Sequence, residues 1–598
     1  MSPSPLDGVA EKGVVAAASA GFAVGLSAAY HLASQATIPN VTYVTDVEGN
    51  YEYWGRFLEK SEGIIIKSVS HDGIFDLELK DGWHFVFGGD SCDKGGKVGG
   101  SVRVVRSLVA VKKKYPSRVT LLLGNRDLNK MRLTSELAAD QLAALDDVPG
   151  PYWVPEAKRV SPEAFLRSEL GKAQGKAPKE VGQAELQAAN TCANRLRWML
   201  KDTMGADGEF ERRRAELAHM RGLVEVSDED TAESFVQSVQ PGGFMREYIE
   251  LGELAKVIGN TLYVHGGVQG SFREGATVAL GFVPSRERRG QSDRFDDLGA
   301  WVAGLQRFLD DERADWAARP LWTADASGGY RGAYAEGRRG GHMLMDYVVP
   351  GCLPSVVMAR HLDSKGMPAP LPAEVEATLA RCGVRRLVIG HTPHGNCPTV
   401  IKSKTRGDAS VDVFSADTSY SDMKHPSGDN RGAAVSELSV LCDGSTRVRG
   451  VLEDGQTGIA YSVPPASPPP PAFPPPPPPN SALSQPAQPL VGLLIAGAEP
   501  GADPPLDFFV KALTQAGDYL LCNVSGFSVT YKTLSRAECL RKLGLPEDGA
   551  SPDALPRNPT PSSPPPRSRA PQLTTLIMWG AVGAAAAVGM ALGAARMR

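Results

Sequence analysis

Between about residues 39 and 455, apolar and polar positions alternate between two patterns. Short runs rich in β-branched and aromatic residues each end in a polar tip, which is typical of strands leading into loops. These runs are NVTYVTD, WHFVFGGD, RVTLLLGN, NTLYVHGG and VRRLVIGH. Between the second and third runs, GSVRVVRSLVAVKKKYP has the apolar spacing of a helix that ends before Pro116. This order predicts a layered α/β fold, with central β-sheets flanked by helices.

Changes in this pattern mark an insertion within residues 39–455 and the boundaries of the other segments of the chain. Helical periodicity in stretches such as QAELQAANTCANRLRWMLKD predicts a helical insertion over about 130–255. We therefore predict six segments: an N-terminal apolar segment (1–38), the main domain (39–455), a Pro-rich linker (456–489), a small α/β unit without recognisable chemistry (490–545), a Pro/Ser-rich linker (546–571) and a C-terminal apolar segment (573–595).

The C-terminal apolar segment has the length of a membrane span. Residues 573–595 carry no charge and could cross a bilayer, although much of the segment is Ala and Gly. The sequence predicts a C-terminal transmembrane helix there and a single-pass membrane protein whose catalytic domain faces the cytosol. The uncharged run 13–33 could be a second span, a transit segment or a soluble helix, and its flank is not basic enough for a secretory signal.

Composition limits the classes of binding partner that the chain is expected to have. Net charge is −4 at pH 7, which argues against a nucleic-acid partner because such proteins usually present a basic face. Eight scattered cysteines form no CxxC pair, so neither a zinc ribbon nor a disulfide scaffold is indicated. The run VPPASPPPPAFPPPPPPN predicts polyproline II, which serves as a spacer or as a ligand for an SH3- or WW-type partner.

Candidate metal ligands stand at the tips of the five strand-like runs. In chain order, the tips contain DVEGN, GGDSCDKGG, GNRD, VHGG and GHTPHG. An open α/β sheet places its site at the carboxyl ends of its strands. Oxygen and imidazole ligands without sulfur suit a hard or borderline divalent ion. Glycine beside each ligand allows sharp turns and close backbone approach. One such tip is usually an ordinary turn, but five in this order predict a shared site.

This series of motifs resembles the calcineurin-like metallophosphoesterases, most closely the branch related to Ser/Thr phosphoprotein phosphatases. The family pattern D-x-H-G, G-D-x-x-D-R-G, G-N-H-E, H-G-G and G-H-T is matched by DVEG, GDSCDKG, GNRD, HGG and GHTP over about residues 40–440. The resemblance implies a metallophosphoesterase-type fold and a site for two divalent ions. It does not indicate the substrate.

The resemblance also implies roles for single residues. Asp46 and Glu48 would bind the first ion, Asp90 would bridge the two ions, and Asn125, His265 and His391 would hold the second. Two ions about 3.5–4 Å apart would share a hydroxide that attacks phosphorus in line. Lys94 stands where the family has Arg and could contact phosphate as a point charge. Glu48 replaces a family His, which favours Mn²⁺ or Mg²⁺ and leaves Fe and Zn as alternatives.

Arg126 is the largest departure from the family pattern. It stands where the family has a His that is oriented by the carboxylate at the Asp93 position and that protonates the leaving oxygen. Arginine cannot release a proton near neutral pH and can only stabilise charge. The sequence therefore predicts leaving groups that need no protonation, or else a different acid, for which His394 is the candidate. Asn129, Lys130 and Arg132 either bind phosphate or form the polar first turn of a helix, and Asp417 and Tyr420 are candidates to lie near the site.

Three functions fit these observations. The first is a membrane-tethered, dinuclear phosphoesterase, a hydrolase of phosphate monoesters in proteins or small molecules. The second is a nucleoside polyphosphate hydrolase, since a phosphoanhydride leaving group needs no acid. The third is a catalytically weak membrane scaffold on a degenerate phosphatase fold, suggested by Glu48 and Arg126.

Overall fold

The computed structural model describes residues 38–545 with gaps. The gaps fall at 97, 144, 146–147, 149, 152, 271–279, 286–294, 296, 323–338, 350–354, 406–409, 421–429, 466–489, 500–505 and 526–527. Within the described residues, the strands are β1 Asn40–Val44, β2 Ile64–Val69, β3 Phe75–Leu79, β4 Trp83–Phe87, β5 Val119–Leu121, β6 Ala255–Ile258, β7 Thr261–Val264, β8 Arg386–Ile389, β9 Thr399–Ile401, β10 Asp412–Ser415, β11 Val435–Val440, β12 Thr446–Val451, β13 Gly458–Val463, β14 Leu494–Glu499, β15 Leu506–Leu513, β16 Tyr519–Ser525 and β17 Ser528–Leu534.

Helices surround these strands and also fill the stretch between β5 and β6. The α-helices in the described part are α1 Tyr51–Lys60, α2 Ser101–Lys114, α3 Asn125–Leu128, α4 Arg132–Glu136, α5 Ala139–Ala143, α6 Pro162–Gln174, α7 Gln183–Ala189, α8 Cys192–Trp198, α9 Glu209–Arg221, α10 Asp228–Ser238, α11 Phe244–Leu251, α12 Leu298–Ala318, α13 His342–Tyr347, α14 Ala373–Arg381 and α15 Arg536–Leu543. A π-helical turn, Met199–Thr203, continues α8.

Two sheets carry the strands that were predicted to end in metal ligands. The first has the order β13-β12-β11-β1-β4-β5, and the second has the order β6-β7-β8-β10-β9. Strands β1, β4 and β5 run parallel to one another, as do β7, β8 and β10. The carboxyl ends of parallel strands meet at one edge of a sheet, so each sheet collects three strand tips at one edge.

Alternating side chains place a core between the two sheets. Tyr43 and Val86 of the first sheet and Tyr263 and Val388 of the second belong to one buried cluster. The rings of Tyr43 and Tyr263 stack with centroids 6.0 Å apart. Side chains one position further along face the helices instead, for example Phe87. This period of two is the strand pattern that the sequence displays, and it buries both faces of each sheet.

The C-terminal region adds to the core between the sheets. Strands β14 to β17 form a four-stranded antiparallel sheet, and α15 follows it. Phe508, Val510 and Leu521 of this sheet are buried in the same cluster as Tyr43 and Tyr263. Residues 490–545 therefore pack on the main body through apolar contacts.

The fold class predicted from sequence needs one correction. The described residues form a mixed α/β structure with several sheets, and none of their helices is long and apolar enough to cross a membrane. The predicted transmembrane helix at 573–595 had been inferred only from its length and lack of charge, in a segment whose Ala and Gly side chains offer little apolar surface. That segment lies outside the described residues, as do the run 13–33 and the Pro-rich residues 466–489.

Candidate metal centre

Six strand tips converge where the two parallel strand sets end. Asp46 follows β1, Asp90 follows β4, Asn125 follows β5, His265 follows β7 and His391 follows β8. The tip of β10 adds a further carboxylate, Asp417. Backbone hydrogen bonds join these loops directly: Asp46 N donates to Gly89 O at 2.9 Å, and Gly390 N donates to His265 O at 2.7 Å.

The residues at these tips adopt an uncommon backbone conformation. Among the described non-glycine residues, positive φ occurs at Asp46 (51°), Glu48 (52°), Asp90 (55°), Asp93 (106°), His391 (63°) and Tyr420 (61°). Five of these six are predicted site residues. Left-handed backbone of this kind costs roughly 1–3 kcal/mol per residue and clusters at functional sites.

Asp90, His265 and His391 form a group that could hold a metal ion. One ligand atom from each of these buried residues lies within 4.8 Å of the other two. His265 Nδ1 lies 2.8 Å from Gly88 O, which makes it the protonated donor and leaves Nε2 with a lone pair. That Nε2 is 3.4 Å from Asp90 Oδ1. Burial, Arg360, His265 and Arg126 lower the pKa of His391 well below its usual range, so this imidazole is neutral and able to ligate.

Several predicted ligand atoms are buried without a hydrogen-bond partner in the described part of the chain. They are Glu48 Oε2, Asn125 Oδ1, His265 Nε2 and His391 Nε2. An unsatisfied buried acceptor costs about 1–3 kcal/mol, so four of them at the predicted strand tips need an explanation. A divalent cation would satisfy oxygen and imidazole acceptors together. The residues present therefore fit such an ion, and its identity stays open between Mn²⁺, Mg²⁺, Fe and Zn.

Glycines beside the ligands leave room for these close approaches. A Cβ added at Gly124 would overlap Asp90 Oδ1, and one at Gly390 would overlap Asp46 Oδ2. At Gly89 the added atom would lie 2.7 Å from His265 Nδ1. Asp90, Asp46 and His265 thus pack against backbone positions where only glycine leaves room.

Glu48 and Arg126 pair with each other. Arg126 Nε lies 2.8 Å from Glu48 Oε1 and 3.4 Å from Asp90 Oδ2, and its Nη1 lies 3.8 Å from Asp93 Oδ2. Burial alone would raise the pKa of Glu48, but Arg126, Lys94 and Arg431 lower it. Burial opposes the charge on Arg126, yet the same carboxylates raise its pKa further.

Asp46 and Asp93 each have other partners. The Asp46 carboxylate accepts hydrogen bonds from His391 N at 3.0 Å and from Thr45 Oγ1 at 2.6 Å. Burial and the neighbouring Asp417 and Asp90 raise its pKa. Asp93 Oδ2 accepts from Lys130 Nζ at 2.6 Å. Lys130 therefore forms a buried ion pair and is not an exposed residue of a helix turn.

The two remaining predicted residues, Lys94 and His394, lie in different surroundings. Lys94 Nζ is 4.3 Å from the Tyr420 ring centroid, and burial together with Arg126 lowers the pKa of Lys94 to about 8. His394 faces the C-terminal sheet: its Nδ1 is 3.3 Å from Thr399 Oγ1, and its ring packs against Phe509. Burial and Lys511 lower the pKa of His394, so it is a neutral imidazole at neutral pH and does not serve as a general acid.

Three residues without an assigned role in the sequence analysis support the site. Asp127 accepts from Asp90 N, Ser91 N and Gly124 N at 2.8–2.9 Å, which positions two of the tips. Arg431 donates to the backbone oxygen of Asp46. Burial lowers the pKa of Arg360, although nearby Asp417, Asp46 and Asp90 partly oppose this shift. Asp127 belongs to the GNRD motif, whereas no sequence pattern distinguishes Arg360 or Arg431 from surface arginines.

Comparisons with known proteins do not assign a family. No protein-family model and no curated protein matches this sequence. Among solved structures, it aligns with a cold-active protein-tyrosine phosphatase of a psychrophilic Shewanella species at 16% identity, covering 71% of this chain and 80% of that one, with a TM-score of 0.30. A Saccharomyces cerevisiae protein serine/threonine phosphatase with similarity to human phosphatase PP5 aligns at 11% identity, 73% and 85% coverage and a TM-score of 0.28. TM-scores this low carry no argument about the fold or function of this chain.

Proposed function

We propose that this chain is a metal-dependent phosphoesterase that hydrolyses phosphate monoesters. The observation that carries the proposal is the close group of Asp90, His265 and His391, together with the unsatisfied acceptors Asn125 Oδ1, His265 Nε2 and His391 Nε2. The buried cations Arg126 and Lys94 lie beside the same carboxylates. Such a site combines a divalent-ion pocket with fixed positive charge, the two features that a phosphoryl group needs. The motif resemblance supports the same reaction class.

The residues of the site would have different roles in hydrolysis. When bound, a divalent ion would polarise a phosphoryl oxygen and make water more acidic. Arg126 and Lys94 would balance the negative charge that develops on the phosphoryl group. Asp127 would keep Asp90 in position through its backbone hydrogen bonds. Nε2 of His265, whose Nδ1 faces Gly88 O, and the neutral imidazole of His391 would remain available as ligands.

The permanent charge of Arg126 limits which leaving groups the site can release. Its guanidinium is buried among carboxylates that raise its pKa, so it stays protonated and transfers no proton. Lys130 is held by Asp93, and His394 faces the C-terminal sheet. We expect aryl phosphates to react faster than alkyl phosphates, because an aryl oxide leaves without a proton. The same property favours phosphoanhydrides and makes a nucleoside polyphosphate hydrolase the second candidate.

Hydrolysis by the metal-reconstituted full chain tests the proposal. The chain is stripped with a chelator, supplied with Mn²⁺ and assayed on an aryl phosphate, an alkyl phosphate and a nucleoside triphosphate. Asp90→Asn is expected to reduce turnover by at least about 100-fold, since ligand loss exceeds the effect of losing an outer partner. Asp412→Asn is the matched control, because Asp412 lies at the start of β10 and pairs with Lys402 at 2.7 Å. Equal turnover in Asp90→Asn and wild type, or none in any protein, would contradict the proposal, and the second result would favour a scaffold.

A further inference from the structure

Arg126 lies against Glu48 and Asp90, two of the three carboxylates that define the position where the resemblance would put the first ion. The third carboxylate is that of Asp46. The guanidinium Nε lies 2.8 Å from Glu48 Oε1 and 3.4 Å from Asp90 Oδ2. These are the distances of charge-assisted hydrogen bonding and of close ion pairing, and they leave the cation between the two carboxylates.

Arg126 is held there from several sides. Its backbone N donates to Asp90 Oδ1 at 2.9 Å, because α3 begins at the tip of β5. Its Nη1 is 3.8 Å from Asp93 Oδ2 and 3.5 Å from Gly205 O. The side chain is 10% exposed, so water contributes little to balancing its charge. A guanidinium does not lose its proton in proteins, so this cation is permanent.

The third carboxylate of this position is also engaged. Asp46 accepts from His391 N and from Thr45 Oγ1. Further cations approach the same carboxylates: Lys94 lies near Glu48 and Asp90, and Arg360 lies near Asp46 and Asp90. Arg126 thus already faces the Glu48 and Asp90 carboxylates, and Asp46 is engaged by its two hydrogen bonds.

The second-ion position differs in this respect. Asn125 Oδ1, His265 Nε2 and His391 Nε2 are buried, and none has a hydrogen-bond partner among the described residues. Asp90 Oδ1 lies 3.4 Å from His265 Nε2. Of the four proposed second-ion ligands, only Asp90 is a carboxylate, and it is the one that Arg126 approaches.

We propose that Arg126 takes the place of the first cation, so that the chain binds a single divalent ion, at Asp90, Asn125, His265 and His391. The inference rests on the proposed metal-dependent function and deepens it. In this arrangement Glu48 is the counter-ion of Arg126 and not a metal ligand. The site would keep two positive centres beside the phosphoryl group, one supplied by the ion and one by the chain.

Metal stoichiometry of the full chain tests this inference. Each protein is saturated with Mn²⁺, freed of excess ion by gel filtration and analysed for metal per chain. Wild type is expected to hold about one ion and Arg126→Ala about two, because removal of the guanidinium frees Glu48 and Asp90 for a second cation. Arg386→Ala is the matched control: Arg386 is also buried, but it bonds Thr261 at the start of β7, so about one ion is expected as in wild type.

Electron paramagnetic resonance of the Mn²⁺-loaded wild type gives a second readout that needs no variant to fold. The spectrum of an isolated ion supports the inference, and that of an exchange-coupled pair overturns it. Two ions in wild type, or an unchanged count in folded Arg126→Ala, would also overturn it. Aryl-phosphate turnover separates the two hypotheses: turnover with two ions overturns only the Arg126 inference, whereas no bound ion and no turnover overturn the proposed function.

Discussion

At the scale of single residues, the site combines strain with buried charge. Positive φ occurs at Asp46, Glu48, Asp90 and His391, all of which are buried. Arg126 forms an ion pair with Glu48 among them. The sequence indicates these positions, since glycine-flanked acidic tips after strands predict tight turns. It does not indicate that Arg126 pairs with Glu48, because that contact depends on how α3 packs against two other strand tips.

Removing the charge of Lys130 tests the buried ion pairing around the site. Lys130→Met leaves Asp93 without its 2.6 Å partner in a buried environment. Arg126 Nη1 remains 3.8 Å from Asp93 Oδ2, so we expect the free energy of unfolding to fall by at most about 3–5 kcal/mol, the usual cost of removing one partner of a buried ion pair. Urea unfolding measures it. Lys113→Met removes a half-exposed pair with Glu247 and should cost less than about 1 kcal/mol. Equal losses in the two variants would show that Asp93 is solvated.

Asp202 predicts a pH dependence outside the site. Burial and Asp207, opposed by Lys201, raise the pKa of Asp202 to about 6. The folded state therefore binds a proton more tightly than the unfolded chain does, so stability falls as pH rises from about 4 towards 6.

Asp202→Asn should remove this loss. We expect the variant to be more stable than wild type at pH 7.5 by on the order of 1 kcal/mol, a value reduced for partial solvent screening. The difference should vanish below about pH 4, where the carboxyl is protonated in both states. Urea unfolding across this pH range measures it, and Asp81→Asn, at a fully exposed position, is the control. A constant difference at all pH values would exclude titration as the cause.

At the scale of elements, the sequence predicts the strands better than their arrangement. All five predicted runs are strands, β1, β4, β5, β7 and β8, and the predicted helix before Pro116 is α2. Their division between two sheets follows from long-range pairing, such as β1 with β11, in which Val41 pairs with Val440 and Tyr43 with Leu438. A local hydrophobic pattern contains no information about such partners.

Gly95 tests how tightly the loops at the strand tips must pack. A Cβ there would overlap the backbone at Gly49 and Asn50. Gly95→Ala should push the loop of Asp90 away from the loop of Glu48 and weaken Mn²⁺ binding by about 10–100-fold, as losses of supporting contacts usually do. Calorimetric titration measures the affinity. Gly55→Ala is the control, since the space near this helical glycine is open to 3.9 Å and the change should leave affinity unaltered. Unchanged binding in Gly95→Ala would mean that the loops can separate without moving the ligands.

At the scale of the whole molecule, the C-terminal sheet shares a core with the two main sheets. Phe508 and Val510 are buried in the cluster that includes the main sheets, and Lys511 donates to Thr399 of β9. The sequence indicates ordinary globular composition over 490–545 but not where this region packs, because a local apolar pattern does not identify the surface that it contacts.

Truncation of Phe508 tests this shared core. Phe508→Ala should lower the free energy of unfolding by about 3–5 kcal/mol. Residues 490–545 contain no tryptophan, so tryptophan fluorescence reports on the rest of the chain, and its unfolding midpoint should fall. Thr533→Ala, an exposed position in the same sheet, should leave the midpoint within experimental error. An unchanged fluorescence midpoint in Phe508→Ala would show that the C-terminal sheet unfolds independently.

The central claim is that distant strand tips build one divalent-metal pocket. Anomalous diffraction from crystals of the full chain grown with Mn²⁺ tests it most directly. The account predicts a manganese peak in bonding contact with Asp90, His265 and His391. Well-ordered side chains at these positions with no peak between them, under saturating Mn²⁺, would contradict it.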